Sequence, residues 1–374
     1  MQKKLFDKLK AIDNFISEAN IKLDYTKYLT PVNLREENSK FLNTYEKGVR
    51  YDPEYTYKPY EDINFDALKK QISIFELSNS PIEKIFKRYL TSLNNVVSLY
   101  QNRGKSPDFT HYSIEAYGFP NERLVEKAYA LLNTNELDEG EIKVTKQYSA
   151  LDLAEKLRSR ISQYGFDWKI KVLDSSTTKV TVDPEDKVVY LNGSIKYSAN
   201  DMERLKVHEV ETHIVRSENG YSQPFKIFST GLANSLATEE GLAVVSEEKN
   251  GVLDKNVLRL YAGRVIAVSL SISKSFYDIF SELSKFFSEQ DALYITQRVK
   301  KGLCCTSECG GFTKDYAYFD GYYKIKEFLD NKNDPEILFV GSIGLEDILE
   351  IKYLLEANII NKPRVIPPAY RRRI

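Results

Sequence analysis

The sequence predicts an α+β fold that is mostly helical, with one small sheet near the middle of the chain. Apolar residues recur at helical spacing over most of the N-terminal and C-terminal parts. Runs of strand composition stand between them, namely "WKIKVLD" (168–174), "KVTVD" (179–183) and "VVYLN" (188–192). The predicted sheet therefore comes directly before the segment that holds His208 and His213, two of the three histidines.

The first hundred residues are predicted to form helices joined by polar, tyrosine-rich connectors. The first helix is amphipathic, because its apolar residues recur at helical spacing (Leu5, Phe6, Leu9, Ile12, Phe15, Ile16, Ala19). A later helix has a start signal in "SNSPIEKIFKRYL", with Ser80 as N-cap, Pro81 at the first helical position and Glu83 closing a capping box. Residues 103–122 are rich in turn formers and are predicted to be a loop.

The middle of the chain is predicted to alternate helix, sheet and helix. "DLAEKLRSRISQYG" (152–165) has a helical pattern that ends at Gly165. After the sheet, Ser198 and Asp201 form the start signal of the helix that carries His208. From residue 230 onward the pattern is mostly helical again.

Composition excludes several classes of protein. The 374 residues carry 53 Lys+Arg and 54 Asp+Glu, so a net charge of -1 gives no electrostatic reason to expect nucleic acid or an anionic membrane. No signal peptide or bilayer-spanning stretch is predicted, and we expect a soluble, cytoplasmic protein of unspecified oligomeric state. The cysteines Cys304, Cys305 and Cys309 are odd in number and clustered, which favours a reducing compartment. They are either small half-buried thiols or groups with a redox or accessory metal role.

The segment "HEVETH" (208–213) suggests a metal site, because it offers two imidazoles and a carboxylate, Glu209, directly after the first of them. In a regular helix, residues five apart point roughly 140° away from each other, so His208 and His213 would not share one ion. A π-bulge widens the helical turn and returns such residues to one face. We therefore predict an irregular helix between the two histidines.

A third ligand is expected in "LATEEGLAVVSEE" (236–248), which predicts an apolar helix with two adjacent carboxylates, Glu239 and Glu240. Neighbouring helical residues point about 100° apart, so only one of the two is expected to face the metal. A second metal-bearing helix downstream of the histidine helix is the layout of zinc peptidases with a distant Glu ligand. The predicted fold class thus includes a gluzincin-like zinc-peptidase core behind the small sheet.

Three motifs in order resemble one family. "HEVETH", "NG" at 219–220 and "TEEGLAV" (238–244) are similar to a family with an HExxxH motif and a downstream (Q/E)EGLA motif. Its bacterial members are known as flavohaemoglobin expression-modulating QEGLA-motif proteins, and its animal relatives include the microtubule-associated tyrosine carboxypeptidase, which acts on α-tubulin. "FTHYSIEAYGFPNE" and "GGFTKDYAYFDGYYKI" also look like family segments, so the resemblance covers roughly residues 105–335.

The resemblance implies a site and a reaction. It makes His208, His213 and Glu240 ligands of one Zn²⁺ and Glu209 the general base, while Glu239 takes the variable position. It also implies that a single C-terminal residue, aromatic and tyrosine first, is removed from a peptide or protein. We divide the chain into a helical N-terminal region, 1–104, packed on a metallopeptidase catalytic domain, 105–374.

An exopeptidase also needs a cation for the terminal carboxylate of its substrate. Lys314, Arg216 and Arg298 are the candidates, and we favour Lys314 because Gly310 and Gly311 allow a loop to approach a ligand closely. Each of them is otherwise an exposed cation.

Other side chains have two interpretations. The tyrosines of the same segment either line an aromatic pocket or pack in the core (Tyr316, Tyr318, Tyr322, Tyr323). His111 is either an oxyanion donor or a structural histidine. Two other functions stay open: a zinc endopeptidase or aminopeptidase, and a non-catalytic regulator that keeps the peptidase fold.

Overall fold

A computed structural model of the protein describes residues 3–134, 147–173 and 179–371. Within these residues the chain forms seventeen α-helices and one small sheet, so the mostly helical α+β prediction is confirmed. The helices before the sheet are α1 (Lys3–Lys22), α2 (Tyr25–Leu29), α3 (Leu34–Tyr45), α4 (Phe65–Ser73), α5 (Pro81–Gln101), α6 (Asp108–Tyr117), α7 (Glu122–Asn133) and α8 (Ala150–Gln163). Those after it are α9 (Ala199–Leu205), α10 (Val215–Tyr221), α11 (Ile227–Thr230), α12 (Ser235–Lys249), α13 (Lys255–Ser271), α14 (Phe276–Leu283), α15 (Glu289–Lys300), α16 (Ala317–Asp330) and α17 (Ile348–Glu356).

The sheet has three strands, β1 (Lys169–Leu173), β2 (Val180–Asp183) and β3 (Val188–Asn192). β3 is the central strand, and it pairs in parallel with β1 and antiparallel with β2. All three predicted strands are therefore confirmed, although Asp174, at the end of the first, lies outside the described residues. β2 is an edge strand, and this position lets it form one wall of the site described below.

A continuous helical segment, called here the histidine rod, follows the sheet in the chain and carries the two histidines. It consists of α9, a π-helical segment (Lys206–Ile214) and α10, without a break between them. The predicted start signal is confirmed as a reciprocal capping box, in which Ser198 Oγ accepts from the Asp201 amide at 2.9 Å and Asp201 Oδ2 accepts from the Ser198 amide at 3.0 Å.

Two helices cross with their backbones in contact, and glycine makes this approach possible. A Cβ on Gly241 of α12 would lie 2.1 Å from the carbonyl carbon of Gly321 on α16, and a Cβ on Gly321 would lie 1.8 Å from the carbonyl oxygen of Ala237. Neither distance is compatible with a side chain. The close crossing places the turn before α16 beside the carboxylates of α12.

Two hydrophobic clusters hold these elements together. The smaller one joins α8, the sheet and the buried side of the histidine rod, through residues such as Leu157, Val189 and Val210. The larger one includes Leu9 of α1 and Val265 of α13, together with apolar residues of α5, α12, α16 and α17. The N-terminal helices thus pack into the same core as the helices around the site. Among the described residues, no helix is both long and apolar enough to cross a bilayer.

Two local predictions were wrong. Residues 103–122 are not a continuous loop, because α6 occupies Asp108–Tyr117, buries Phe109 and stops at Gly118, whose φ is +84°. The turn formers flank this helix instead of interrupting it. In the predicted capping box of α5, Ser80 is the N-cap residue, but its hydroxyl donates to the Glu83 carboxylate at 2.6 Å instead of accepting from a backbone amide.

Candidate metal centre

The π-helical segment brings the two predicted histidine ligands together. The ring centroids of His208 and His213 lie 4.9 Å apart, and the planes are inclined by 70°. The widened turn is also marked by Thr212, whose hydroxyl donates to the carbonyl of Val207, five residues earlier, at 3.4 Å. The predicted irregularity between the histidines is thus confirmed, and the five-residue spacing places both imidazoles on one face.

Glu240 supplies a third donor at the same point. Its Oε2 lies 3.6 Å from His208 Nε2 and 3.8 Å from His213 Nε2. Tetrahedral ligands of zinc stand about 3.3 Å from one another, so both distances are close to what such an ion requires. His208, Glu209 and His213 also form a group whose ligand atoms, one from each residue, lie within 4.8 Å of one another, so Glu209 is a further candidate donor.

The buried carboxylate of Glu247 contacts the Nδ1 side of His208 and fixes the orientation of its ring. His208 Nδ1 lies 2.7 Å from Glu247 Oε1, and the same oxygen accepts from Arg204 at 3.0 Å. A carboxylate on Nδ1 favours a proton there and leaves the Nε2 lone pair for a metal. The sequence analysis missed Glu247, although it stands seven residues after Glu240 and helical geometry puts both on the same face.

His213 has an equivalent partner in Glu239. The distance from His213 Nδ1 to Glu239 Oε1 is 2.8 Å, and Arg216 forms a short ion pair with the other oxygen of this carboxylate. Arg216 is completely buried and donates to the carbonyls of Leu338 at 2.8 Å and Ile343 at 2.6 Å. Arg216 is a predicted candidate for the substrate carboxylate, but its burial and its bonds make it a support for Glu239.

The centre has a negative potential. Burial alone lowers the pKa of His208, but its contacts with Glu240 and Glu247 outweigh burial and raise the pKa to about 10. Burial alone would raise the pKa of Glu240, whereas the contact with His208 and the nearby His213 lower it to about 2. The carboxylates around His208 favour its protonated ring, and the two imidazoles favour the ionised carboxylate of Glu240.

The centre opens into a cleft of about 430 Å³. Its walls come from β2, α2, α12 and the turn that precedes α16, and they include Glu209, Lys314 and Tyr318. A second cavity of about 610 Å³ adjoins the cleft and shares Lys314, Gly231 and neighbouring residues with it. The two adjoining cavities are together large enough for the end of a peptide.

The two remaining candidates for binding the substrate carboxylate, Arg298 and Lys314, both line the cleft but differ in their contacts. Arg298 is engaged by Asp315, which accepts from both its Nε and, at 2.8 Å, its Nη2. Lys314 is half-buried, and within the part of the chain that the structure describes no hydrogen bond or ion pair engages its ammonium. Burial lowers its pKa, while Asp315 and Glu240 oppose this effect. Lys314 is consequently the cation that is available to a ligand.

Tyr318 is the tyrosine of the predicted set that reaches the cleft wall. Its ring stacks on Tyr261 at 4.8 Å, and the Arg264 guanidinium lies 4.7 Å from the ring centroid. Burial and the charge of Glu240 raise its pKa well above the usual value, so the hydroxyl keeps its proton. Tyr316 lines the adjoining cavity instead.

The other candidates lie outside the cleft. Tyr322 and Tyr323 lie further along α16, and His111 is exposed on α6 beside Tyr112. The cysteines are free thiols, of which Cys304 and Cys309 are exposed and Cys305 is half-buried, so they are more accessible than expected.

The remaining motif residues are structural. A Cβ on Gly220 would lie 2.1 Å from the carbonyl oxygen of Phe228, so "NG" needs glycine for close packing. Asn219 Oδ1 accepts from the amides of Arg364 and Val365 at 3.0 Å each, which ties the C-terminal segment to the histidine rod. These motif positions support the site without lining it.

Comparison with known proteins gives a consistent result. A family model described as "Microtubule-associated tyrosine carboxypeptidase" matches residues 40–373. The chain is 27% identical to MATCAP2 of Mus musculus over 173 residues. This aligned segment covers 44% of this chain and 32% of that protein. It is 28% identical over 167 residues to microtubule-associated tyrosine carboxypeptidase 1 of Homo sapiens, covering 43% of this chain and 34% of the relative. The matched part thus spans about a third of the length of these relatives.

Proposed function

This chain belongs to the microtubule-associated tyrosine carboxypeptidase family, and we propose that it is a zinc-dependent metallocarboxypeptidase that removes one C-terminal residue from a peptide or protein. The observation that carries the proposal is the convergence of His208 Nε2, His213 Nε2 and Glu240 Oε2 at separations that suit zinc. The proposal includes a gluzincin-like core, in which the sheet precedes the histidine helix and a later helix brings the distant Glu.

The donor set suits the chemistry of peptide hydrolysis. Bound zinc polarises a carbonyl group and makes a coordinated water more acidic. Glu209 borders the donors and the cleft, where its carboxylate takes a proton from the attacking water and passes it to the leaving amine. Tyr318 keeps its hydroxyl proton and lines the same cleft, so we assign it as a donor to the oxyanion.

A cut at the chain end requires recognition of a terminal carboxylate. Lys314 serves this purpose in our proposal, because its ammonium lines the cleft and has no carboxylate partner among the described residues. Arg298 lines the same wall, but Asp315 engages it there. A free carboxylate on the substrate would therefore be attracted to a fixed position, and the peptide bond before it would be placed at the donors.

The identity of the removed residue comes from the relatives. The proteins matched are named as tyrosine carboxypeptidases, and one of them is named for its association with microtubules. We propose an aromatic residue, tyrosine first, at the C-terminus of the substrate. Because the match spans only about a third of each relative, association with microtubules is a separate question for this chain.

The deciding experiment compares Glu209→Gln with wild-type protein on a library of peptides that vary at the C-terminus, analysed by mass spectrometry. We expect wild-type protein to release single terminal residues, and Glu209→Gln to keep its zinc and its fold but to lose turnover. Glu211→Gln is the matched control, since Glu211 faces Arg160 and not the cleft. Absence of zinc in the purified protein, or equal turnover by Glu209→Gln, would refute the proposal.

Amidated peptides separate the proposal from its alternatives. Amidation removes the charge that Lys314 would bind, so cleavage should fall by orders of magnitude, and Lys314→Met should cause a similar loss that does not add to it. Equal cleavage of free and amidated peptides would instead indicate an endopeptidase. Release of N-terminal residues would indicate an aminopeptidase, and zinc binding without any cleavage would favour a regulator.

A further inference from the structure

Two neighbouring residues of the cleft wall, Tyr25 and Thr26, lie outside the range that the family model matches. Tyr25 is the first residue of α2, and it lines the cleft, whereas the family model starts at residue 40. The helix is fixed in place, because Asp24 caps it by accepting from the Lys27 amide at 2.9 Å and Leu29 is completely buried. The position of the Tyr25 ring is therefore determined by the fold of the N-terminal region.

Two lysine ammoniums surround this ring. Lys314 Nζ and Lys301 Nζ each lie 4.9 Å from the centroid of the Tyr25 ring. Lys301 also donates to the Tyr25 hydroxyl at 3.3 Å, and the ring stacks on Phe312 at 5.7 Å. A second ring, that of Tyr117, lies 5.9 Å from Lys314 Nζ. Lys314 thus contacts aromatic rings where a carboxylate would be the usual partner.

The charges around the ring explain why an aromatic contact matters. Arg298, Lys301 and Lys314 are close to one another, and Arg298 occupies the nearby carboxylate, Asp315. Burial lowers the pKa of Lys301 to about 8 and also lowers that of Lys314. An aromatic face attracts a cation without neutralising it, whereas an acidic partner would compete with a substrate carboxylate.

We infer that Tyr25 is a positioning residue, whose ring holds the Lys314 ammonium in the cleft so that it can bind the terminal carboxylate of the substrate. The inference rests on the proposed carboxypeptidase function and adds a contribution of the N-terminal region to it. The ring performs this role, and the hydroxyl serves Lys301. Two substitutions at this position therefore separate the two contacts.

The experiment compares Tyr25→Phe, which keeps the ring, with Tyr25→Leu, which removes it. With a free-acid peptide ending in tyrosine, Tyr25→Leu should raise KM about 5- to 30-fold and leave kcat within about twofold. Tyr25→Phe should behave as wild type. Tyr353→Leu is the matched control, because it makes the same change at an exposed position on α17. Zinc content should not differ among these variants, and Tyr25→Leu, which loses the stack on Phe312, should still unfold well above the assay temperature.

Binding measurements make the outcome independent of turnover. In the Glu209→Gln background, wild-type Tyr25 should bind the free-acid peptide more tightly than its amide, and Tyr25→Leu should lose this preference. Combining Tyr25→Leu with Lys314→Met should add nothing to Lys314→Met alone. If the free acid is preferred and Tyr25→Leu keeps that preference, the inference is overturned while the proposed function stands. If wild-type Tyr25 shows no preference, the proposed terminal cut fails, and the inference fails with it.

Discussion

Glu247→Gln isolates the contribution of an outer contact to zinc affinity. Glu247 is completely buried, lies 2.7 Å from His208 Nδ1 and accepts from Arg204 at 3.0 Å. Glutamine has nearly the same size, so the change removes the charge while the packing stays. The amide oxygen can still accept a hydrogen bond, but the imidazole loses its anionic partner. Glu248→Gln is the matched control, because Glu248 is the next residue and is half-exposed beside Lys326.

The magnitude follows from two effects. Loss of a carboxylate behind a metal-bound histidine lowers metal affinity about 10- to 100-fold, which corresponds to about 1.4–2.7 kcal/mol. Among the residues that the structure describes, the substitution leaves Asp201, whose carboxylate lies 3.7 Å away, as the anionic partner of Arg204. Removing one member of a buried ion pair, so that the other stays buried without a partner, lowers the free energy of unfolding by about 3–5 kcal/mol. Because Asp201 remains, we expect a fall of about 3 kcal/mol in the unfolding free energy.

The assay needs both quantities from the same protein. Competition with a chromogenic chelator gives the zinc dissociation constant, and urea unfolding of the metal-free protein gives the stability. Glu248→Gln should change the zinc dissociation constant by less than about twofold and the free energy of unfolding by less than about 1 kcal/mol. If Glu247→Gln binds zinc as tightly as Glu248→Gln does, then Glu247 does not orient His208, and the geometric argument for the centre is wrong.

Three further predictions follow from the same structure. Glu240→Gln removes a proposed ligand and should abolish zinc binding, measured by chelator competition. Glu239→Gln removes only the carboxylate partner of a histidine and should weaken zinc binding about 10- to 100-fold. A larger loss for Glu239→Gln than for Glu240→Gln would make Glu239 the ligand. Gly241→Ala places a Cβ into the backbone of α16, so thermal unfolding should show a loss of about 3 kcal/mol or more, and a wild-type melting temperature would contradict the close crossing. Burial raises the pKa of Tyr89 and of Tyr197 to about 12, above the value of about 10 in an unfolded chain. Their stabilising contribution is full below pH 10 and falls as the pH rises to 12, by up to about 3 kcal/mol each, so urea unfolding at pH 8, 10 and 11 should show a progressive loss.

The sequence predicted the parts of the site that depend on spacing along one helix. Five residues between the histidines required a widened turn, and the structure has a π-helical segment there. The choice of Glu240 over Glu239 came from the resemblance to the family and stays a prediction, with Glu240 Oε2 at 3.6 and 3.8 Å from the two imidazole Nε2 atoms. The prediction of the widened turn succeeds because helical geometry relates sequence separation directly to direction in space.

Contacts between distant segments could not be predicted in this way. Arg216 was a candidate for the substrate because one turn separates it from His213, yet carbonyls more than a hundred residues later surround it. Tyr25 was not considered, since no local pattern relates it to Lys314. In each case the decisive partner comes from another element, and its arrival depends on packing of the whole chain.

The three glutamates of α12 depend both on spacing along one helix and on contacts with a distant segment. Glu240 and Glu247 are seven residues apart and differ by only about 20° in direction, so both reach His208, one near Nε2 and the other at Nδ1. Glu239 points about 100° away from Glu240 and reaches Nδ1 of His213. A single helix therefore supplies the third donor and orients both imidazoles. Any shift of α12 along its axis would disturb all three contacts together, which explains why the close crossing at Gly241 matters for the site.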